Sequence, residues 1–202
     1  MLSPLRSLIN LGCAMDIIIH GFNVRNPDKT VGRLRAFLDP YFMFEYGWFG
    51  LLSVMLYNKR EAKKLKGLID AYIAKGEDVT IYAHSNGCAI SVLAASMGAN
   101  IKNLVCINPA LKVKTDFPES IGKVVVVHTK HDTPTRAARF FDNIPFIGLL
   151  IPNAWGAMGA KGSSATDKRV HNLDLSDSLN GHSDFFRMDK LQRFMPKIKQ
   201  LL

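Results

Sequence analysis

Four short apolar runs, each leading into a stretch of a different period, constrain this chain more than any other feature. They lie at residues 15–20 (MDIIIH), 79–84, 101–108 and 123–129 (KVVVVHT). A strand with one wet face alternates apolar and polar residues. The first, MDIIIH, is nearly all apolar, as a strand covered on both faces should be. The alternation of the four runs with longer helical stretches predicts an α/β fold: a mostly parallel sheet with helices on both faces. The length of 202 residues suits a single domain over 1–202. A hydrophobic share of 48% supplies a core and excludes the disordered class.

Between the runs the pattern is uneven. Residues 58–75 read as a helix, with Asn58 as its cap, Glu61 completing a box-like start, and Ala62, Leu65, Ile69 and Ile73 as its apolar stripe; Gly76 stops it. Helices are also expected over about 28–38, ended by Pro40, over 86–97, and over 184–202, kinked or broken near Pro196. The aromatic run 41–48 reads as a short strand or a buried loop. Residues 140–162, rich in Gly, Pro and aromatic residues, have no clear period. This segment is either a lid or pocket wall with an apolar underside, or an excursion that completes the core.

Other features bound the setting. No run approaches the roughly 20 apolar residues of a membrane helix. The N-terminal stretch holds Arg6 and an L-G-C ending at Cys13, but its apolar part is shorter than a secretory core, so a short leading helix is expected rather than an export signal. Cys88 and Cys106 sit among small apolar residues and read as buried thiols, which fits a cytoplasmic setting. The formal net charge of +9 is scattered. It reads as a solvated surface, with an anionic membrane surface as a weaker context. No aromatic–basic pattern accompanies it, so nucleic acid is not an expected partner.

Ala83-His84-Ser85-Asn86-Gly87 closes the second run. Strand, serine, then small-residue helix is the context in which a sharp turn projects a nucleophilic hydroxyl above a sheet. Ala83 and Gly87 would relieve crowding across that turn, and Asn86 would open the helix with its N–H aimed at whatever Ser85 attacks. The alternative is a turn serine that caps the following helix.

In A-H-S-N-G and in its order of elements, the chain resembles the α/β-hydrolase superfamily in its minimal form. The pentapeptide is similar to the nucleophile elbow of compact bacterial lipases, with Ala in place of the first Gly. The resemblance covers nearly the whole chain and implies three further parts. His20-Gly21-Phe22-Asn23 is similar to the family's H-G motif, which implies an oxyanion hole made by the N–H groups of Phe22 and Asn86, with Gly21, Asn23 and Trp155 on the substrate side. Asp132, just past KVVVVHT, stands where the family places its acid. Asp116 is the rival, and Asp167 and Asp174 are set aside because no strand is expected before them. His182 in Gly181-His182-Ser183-Asp184 completes the order Ser, Asp, His, with His171 as the alternative. His84 is expected to shape the strand end. Gly181-His182-Ser183-Asp184 is not itself an elbow, because Phe185 fills the small position; Ser183 reads as a helix cap.

The implied chemistry is acyl transfer to water through an acyl-enzyme, with no metal or organic cofactor required. A small-molecule or lipid ester is the expected substrate, and a monomer the expected state. An amide or thioester substrate stays open, as does a catalytically silent binding module on the same fold.

Overall fold

The computed structural model describes residues 14–22, 26–46, 54–138 and 155–202, with side chains described for all of these but 54–56 and 136–138. Six strands form one sheet: β1 (Ala14–Ile19), β2 (Tyr41–Phe44), β3 (Asp78–His84), β4 (Ile101–Ile107), β5 (Ile121–His128) and β6 (Val170–Asp174). Their spatial order is β2-β1-β3-β4-β5-β6, and every neighbouring pair is parallel.

The apolar runs divide by parity, as the two-residue period of a strand requires. Ile17 and Ile19 of β1 and Val124 and Val126 of β5 face one core layer, shared with Ala62, Leu65 and Ile69 of α1 (Val54–Ile73) and with α2 (Asn86–Ser96). Ile18, Val125 and Val127 face the opposite layer, where Leu191, Phe194, Met195 and Ile198 of the C-terminal helix α5 (Met188–Leu201) cover them. Among the described residues, two short helices, α3 (Thr133–Ala138) and α4 (Met158–Lys161), lie between β5 and β6.

Several expectations from the sequence are corrected. The stretch 28–38 forms two 310 segments, Pro27–Lys29 and Val31–Ala36, rather than an α-helix; Thr30 between them leaves helical angles at φ −129° and ψ −110°. Helix α1 starts at Val54, so Asn58 is inside it and buried rather than its cap, and Glu61 pairs with Lys64 at 2.8 Å. Helix α5 is continuous through Pro196, which lies on its exposed side. Ser183 makes no capping hydrogen bond. Strand β6 was not foreseen. It is a five-residue edge strand, VHNLD, whose Asn172 and Asp174 are exposed and whose polar residues break the apolar pattern. Asp174 therefore does end a strand, but it bonds Ser176 (2.9 Å to the backbone N–H).

Asp16 of β1 is partly buried, and burial raises its pKa from 3.8 to about 6 against the opposing pull of Lys199. The native state then holds this proton more tightly than the unfolded chain does. The ionised carboxylate costs stability as pH rises from about 4 through 6, and the cost is constant above that. Asp16→Asn is expected to raise stability by about 1 kcal/mol at pH 7.5, discounted for partial exposure, and to change it little at pH 4. Urea unfolding at the two pH values measures this; an equal effect at both removes the electrostatic cause.

Candidate active site

All six strands end on the same edge of the sheet, and the strand order makes one crevice there. The chain leaves β1 toward β2 on one side and returns to β3 on the other, which opens a cleft beyond the C-terminal ends of β1 and β3. His20, Gly21 and Phe22 follow β1, and Ser85 follows β3. Asn108 follows β4, Asp132 lies just past β5, and His182 lies on the loop after β6.

Ser85 has φ 53° and ψ −119°, left of the region that L-residues favour, between the last residue of β3 and the first of α2. Its N–H donates to the Ile107 carbonyl at 3.1 Å, and its own carbonyl accepts from Cys88 (3.1 Å) and Ala110 (3.2 Å). Its side chain makes no capping hydrogen bond to α2, which removes the helix-cap alternative.

Gly87 answers to a constraint from the end of β1 that its neighbours in the chain do not announce. A Cβ on Gly87 would lie 2.7 Å from the His20 carbonyl oxygen and 2.9 Å from Ile19 Cγ2. Gly87 is small to let α2 pass the end of β1. Reciprocally, a Cβ on Gly21 would lie 3.0 Å from both His84 Nδ1 and Ser85 Cβ. The H-G turn and the serine turn interlock through two glycines. Gly87→Ala is expected to cost about 1–3 kcal/mol, since the nearest obstructing atom is the backbone carbonyl oxygen of His20. Thermal or urea unfolding tests it, and wild-type stability would mean that α2 and β1 can separate freely.

On the other side of the cleft, His182 Nδ1 lies 2.9 Å from each oxygen of Asp132. Asp132 is fully buried. Its Oδ2 also accepts from Asn108 Nδ2 (3.0 Å) and its Oδ1 from the Thr135 N–H (3.2 Å). A carboxylate surrounded by donors requires Nδ1 of His182 to carry a proton, which leaves Nε2 as the basic face. A Cβ on Gly159 would sit 2.5 Å from Asp132 Oδ2, so the chain can pass here only as glycine. Asp116 is exposed, and His171 lies within β6, opposite Val125.

His84 joins the two halves. Its Nε2 donates to the His182 carbonyl at 3.1 Å, its ring lies 4.6 Å from the His182 ring, and Phe186 meets it edge-on at 4.9 Å. Burial, and secondarily the nearby His182, hold its pKa well below the ordinary value, so it stays neutral. It shapes the strand end, as expected.

Asn86 is the first residue of α2, so its backbone N–H has no acceptor within the helix. Its side chain turns into the interior, paired with Asn58 in both directions (2.9 and 3.0 Å) and donating to the Tyr46 hydroxyl at 3.4 Å. Phe22 meets Trp155 edge-on at 5.7 Å. Trp155 has φ 61°, and its N–H donates to Ala110 at 2.7 Å. Asn23 and residues 139–154 of the expected lid segment lie outside the described residues; within 155–162, Met158 and Ala160 are buried against the body of the fold.

Sequence reasoning missed Tyr46, Asn58, Asn108 and Gly159. For Asn58 a signal existed: positions 58, 62, 65 and 69 share one helical stripe, so a polar residue there faces the core. Among the described residues, no group of three His, Cys, Asp or Glu side chains is placed to hold a metal ion.

These elements define the class: the chain has the α/β-hydrolase fold. Est1E from Butyrivibrio proteoclasticus, solved with ferulic acid bound, matches it with a TM-score of 0.56 at 14% identity, over 94% of this chain and 89% of that one. MGS-MChE2, an α/β-hydrolase enzyme from a lagoon-sediment metagenome of Mar Chica, Morocco, matches with 0.51 at 17% identity, over 94% and 92%. A structure of the metagenome-derived lipolytic enzymes LipS and LipT matches with 0.51 at 12% identity, over 94% of both chains. No protein-family model matches the chain. No curated protein matches its sequence.

Proposed function

We propose that this chain is a serine hydrolase that cleaves carboxylic esters, in the manner of a carboxylesterase or lipase, through an acyl-enzyme. The observation that carries the reading is one conjunction. A serine held at φ 53° stands next to His84, and His84 packs on a histidine whose Nδ1 is bonded to a fully buried aspartate. A binding module has no use for either the backbone strain or the buried carboxylate.

In this reading His182 Nε2 takes the proton of Ser85 Oγ as the oxygen attacks the ester carbonyl carbon. The oxyanion is held by the N–H groups of Phe22 and Asn86, each donor being worth about 3 kcal/mol in the transition state. His182 returns the proton to the leaving alkoxide. Water then repeats the sequence on the acyl-enzyme, and the acid is released. Asp132 stays ionised and steadies the imidazolium. Gly21 and Trp155 are the proposed substrate-side residues, and the Phe22–Trp155 pair would offer an apolar wall to an acyl chain or ring. No metal is required.

The names of the similar structures point the same way, to esterase and lipolytic activity. A small-molecule or lipid ester is the proposed substrate class. The +9 charge favours encounter with an anionic surface. Among the described residues, no helix is long and apolar enough to cross a membrane.

The test is labelling with a fluorophosphonate, which reports an activated serine without the true substrate. One adduct per chain, mapped to Ser85 and lost in His182→Ala, is the expected result. A folded wild-type protein that takes up no label, or labels elsewhere, overturns the reading.

A further inference from the structure

A polar cluster is buried beneath the cleft, on the side away from His182. It draws on four separate parts of the chain: His20 at the end of β1, Tyr46 past β2, Asn58 inside α1 and Asn86 at the start of α2. All four are nearly inaccessible to water. Buried polar groups are costly unless each is satisfied, and a fully satisfied network is rigid.

The bonds have a direction. The Tyr46 N–H donates to His20 Nε2 at 3.3 Å, so Nε2 is unprotonated and Nδ1 carries the hydrogen. Nδ1 then donates to the Gly21 carbonyl at 2.7 Å. That carbonyl belongs to the same planar peptide unit as the Phe22 N–H, and in a trans peptide the two point in opposite directions. Holding the Gly21 oxygen inward therefore aims the Phe22 N–H outward. The Tyr46 ring stacks on His20 with centroids 4.2 Å apart and planes 12° apart, which fixes the imidazole plane. Burial lowers the His20 pKa, so the neutral form needed for this pattern persists at neutral pH.

The same tyrosine reaches the second donor. Its hydroxyl accepts from Asn86 Nδ2, and Asn86 is clamped by the two-way amide pair with Asn58. The Asn86 side chain is thereby tied to α1, and with it the residue whose backbone N–H opens α2.

We infer that His20, Tyr46, Asn58 and the Asn86 side chain are positioning residues that pre-aim the Phe22 and Asn86 backbone N–H groups as one oxyanion hole. This rests on the hydrolase reading above. The network touches no substrate; it acts through the orientation of two peptide units. Its contribution appears in the transition state, where charge develops on the oxygen, and hardly in substrate binding.

Three variants, His20→Ala, Tyr46→Phe and Asn58→Leu, test this on p-nitrophenyl butyrate and with phenylboronic acid. Boron accepts the Ser85 oxygen to become a tetrahedral anion, with the serine proton passing to His182, so the adduct mimics the charged intermediate. His20→Ala and Asn58→Leu are expected to lower kcat about 10- to 100-fold with KM nearly unchanged, and to weaken phenylboronic acid binding by the same factor. Tyr46→Phe keeps the ring stacked on His20 and removes the acceptor of the 3.4 Å bond from Asn86, and is expected to lose less. A purely structural role would lower the melting temperature without this split. Folded His20→Ala and Asn58→Leu proteins with wild-type kcat overturn the inference, as does an equal loss in KM.

A second measurement needs no variant. The 15N shifts of His20 in the wild-type protein are expected to show the Nδ1–H tautomer; the Nε2–H tautomer overturns the inference directly. Failure of this inference and failure of the hydrolase reading are separable. A wild type labelled at Ser85 whose variants label at the same rate overturns the positioning role alone, whereas an unlabelled wild type overturns both.

Discussion

Ser85→Gly is expected to abolish ester turnover while making the protein more stable. The loss of activity is the larger effect. In the proposed mechanism Ser85 is the nucleophile of a triad, and removing such a nucleophile lowers kcat by about 10^4- to 10^6-fold, leaving only what the oxyanion donors and substrate binding supply. The stability gain comes from the backbone. A non-glycine residue at φ 53° and ψ −119° stores about 1–3 kcal/mol of strain, and glycine adopts the same angles without a Cβ to obstruct them. Glycine also gives the unfolded chain more freedom, which offsets roughly 0.5–1 kcal/mol of that gain. The net expectation is about 1 kcal/mol of stabilisation. Ser85→Ala is the matched comparison, since it removes the hydroxyl but keeps the Cβ and with it the strain. Both variants should be inactive, and the glycine variant alone should be more stable than wild type by urea unfolding. If the alanine variant is the more stable of the two, the strained turn does not exist in solution. If either keeps substantial turnover in a preparation free of contaminating esterase, Ser85 is not the nucleophile.

That the serine turn could be read from residues 83–87 at all follows from its being local. The strand before Ser85, the small-residue helix after it and Gly87 two places on are all within a dozen residues, and their physical demands are short-ranged. The four central strands were legible for a related reason: burial on both faces keeps most of each run apolar, despite Thr80 in β3 and Lys102 and Asn103 in β4. What was not legible depends on contacts far apart in the chain. Gly87 is required by the backbone of Ile19 and His20, which no pattern near position 87 announces. Asn58 looked like a helix cap because a cap is the commonest use of an asparagine beside an apolar stripe. Its partner, Asn86, is 28 positions away. Strand β6 was hidden by its place at the edge, where Asn172 and Asp174 share the exposed face and His171 is only partly buried on the other, so no apolar run forms. Asn108 and Gly159 matter because they crowd Asp132, and only the folded sheet brings β4, α3 and α4 to one point.

Asp132→Asn is the other substitution with a large expected effect, and its consequences follow from which atoms surround the carboxylate. Oδ1 accepts from the Thr135 N–H and Oδ2 from Asn108 Nδ2, and His182 Nδ1 is 2.9 Å from both. A carboxylate accepts on every side. An amide must turn its NH2 toward one of these donors. Facing Thr135, it meets a backbone N–H that cannot rotate. Facing Asn108, it meets an NH2 that can, because Asn108 Oδ1 has no hydrogen-bond partner and a half-turn of that amide would make it the acceptor. The variant should therefore fold, with the Asn108 amide reversed and the imidazole still donating to the oxygen beside Thr135. Lost in that arrangement is the negative charge that, in the proposed mechanism, steadies the imidazolium as Ser85 gives up its proton. The expected drop in kcat is about 10^2- to 10^4-fold, the upper figure being the loss seen where such a substitution also forces the wrong tautomer. Asp132→Asn combined with Asn108→Asp separates the two causes. It restores a carboxylate beside the amide but places it one residue farther from His182, so activity should stay low if direct contact with the charge is required. Kinetics on p-nitrophenyl butyrate with melting temperatures for each variant decide it. An Asp132→Asn protein with near wild-type kcat would show that the carboxylate only packs the loop, and that the imidazole needs no charged partner to act as the base.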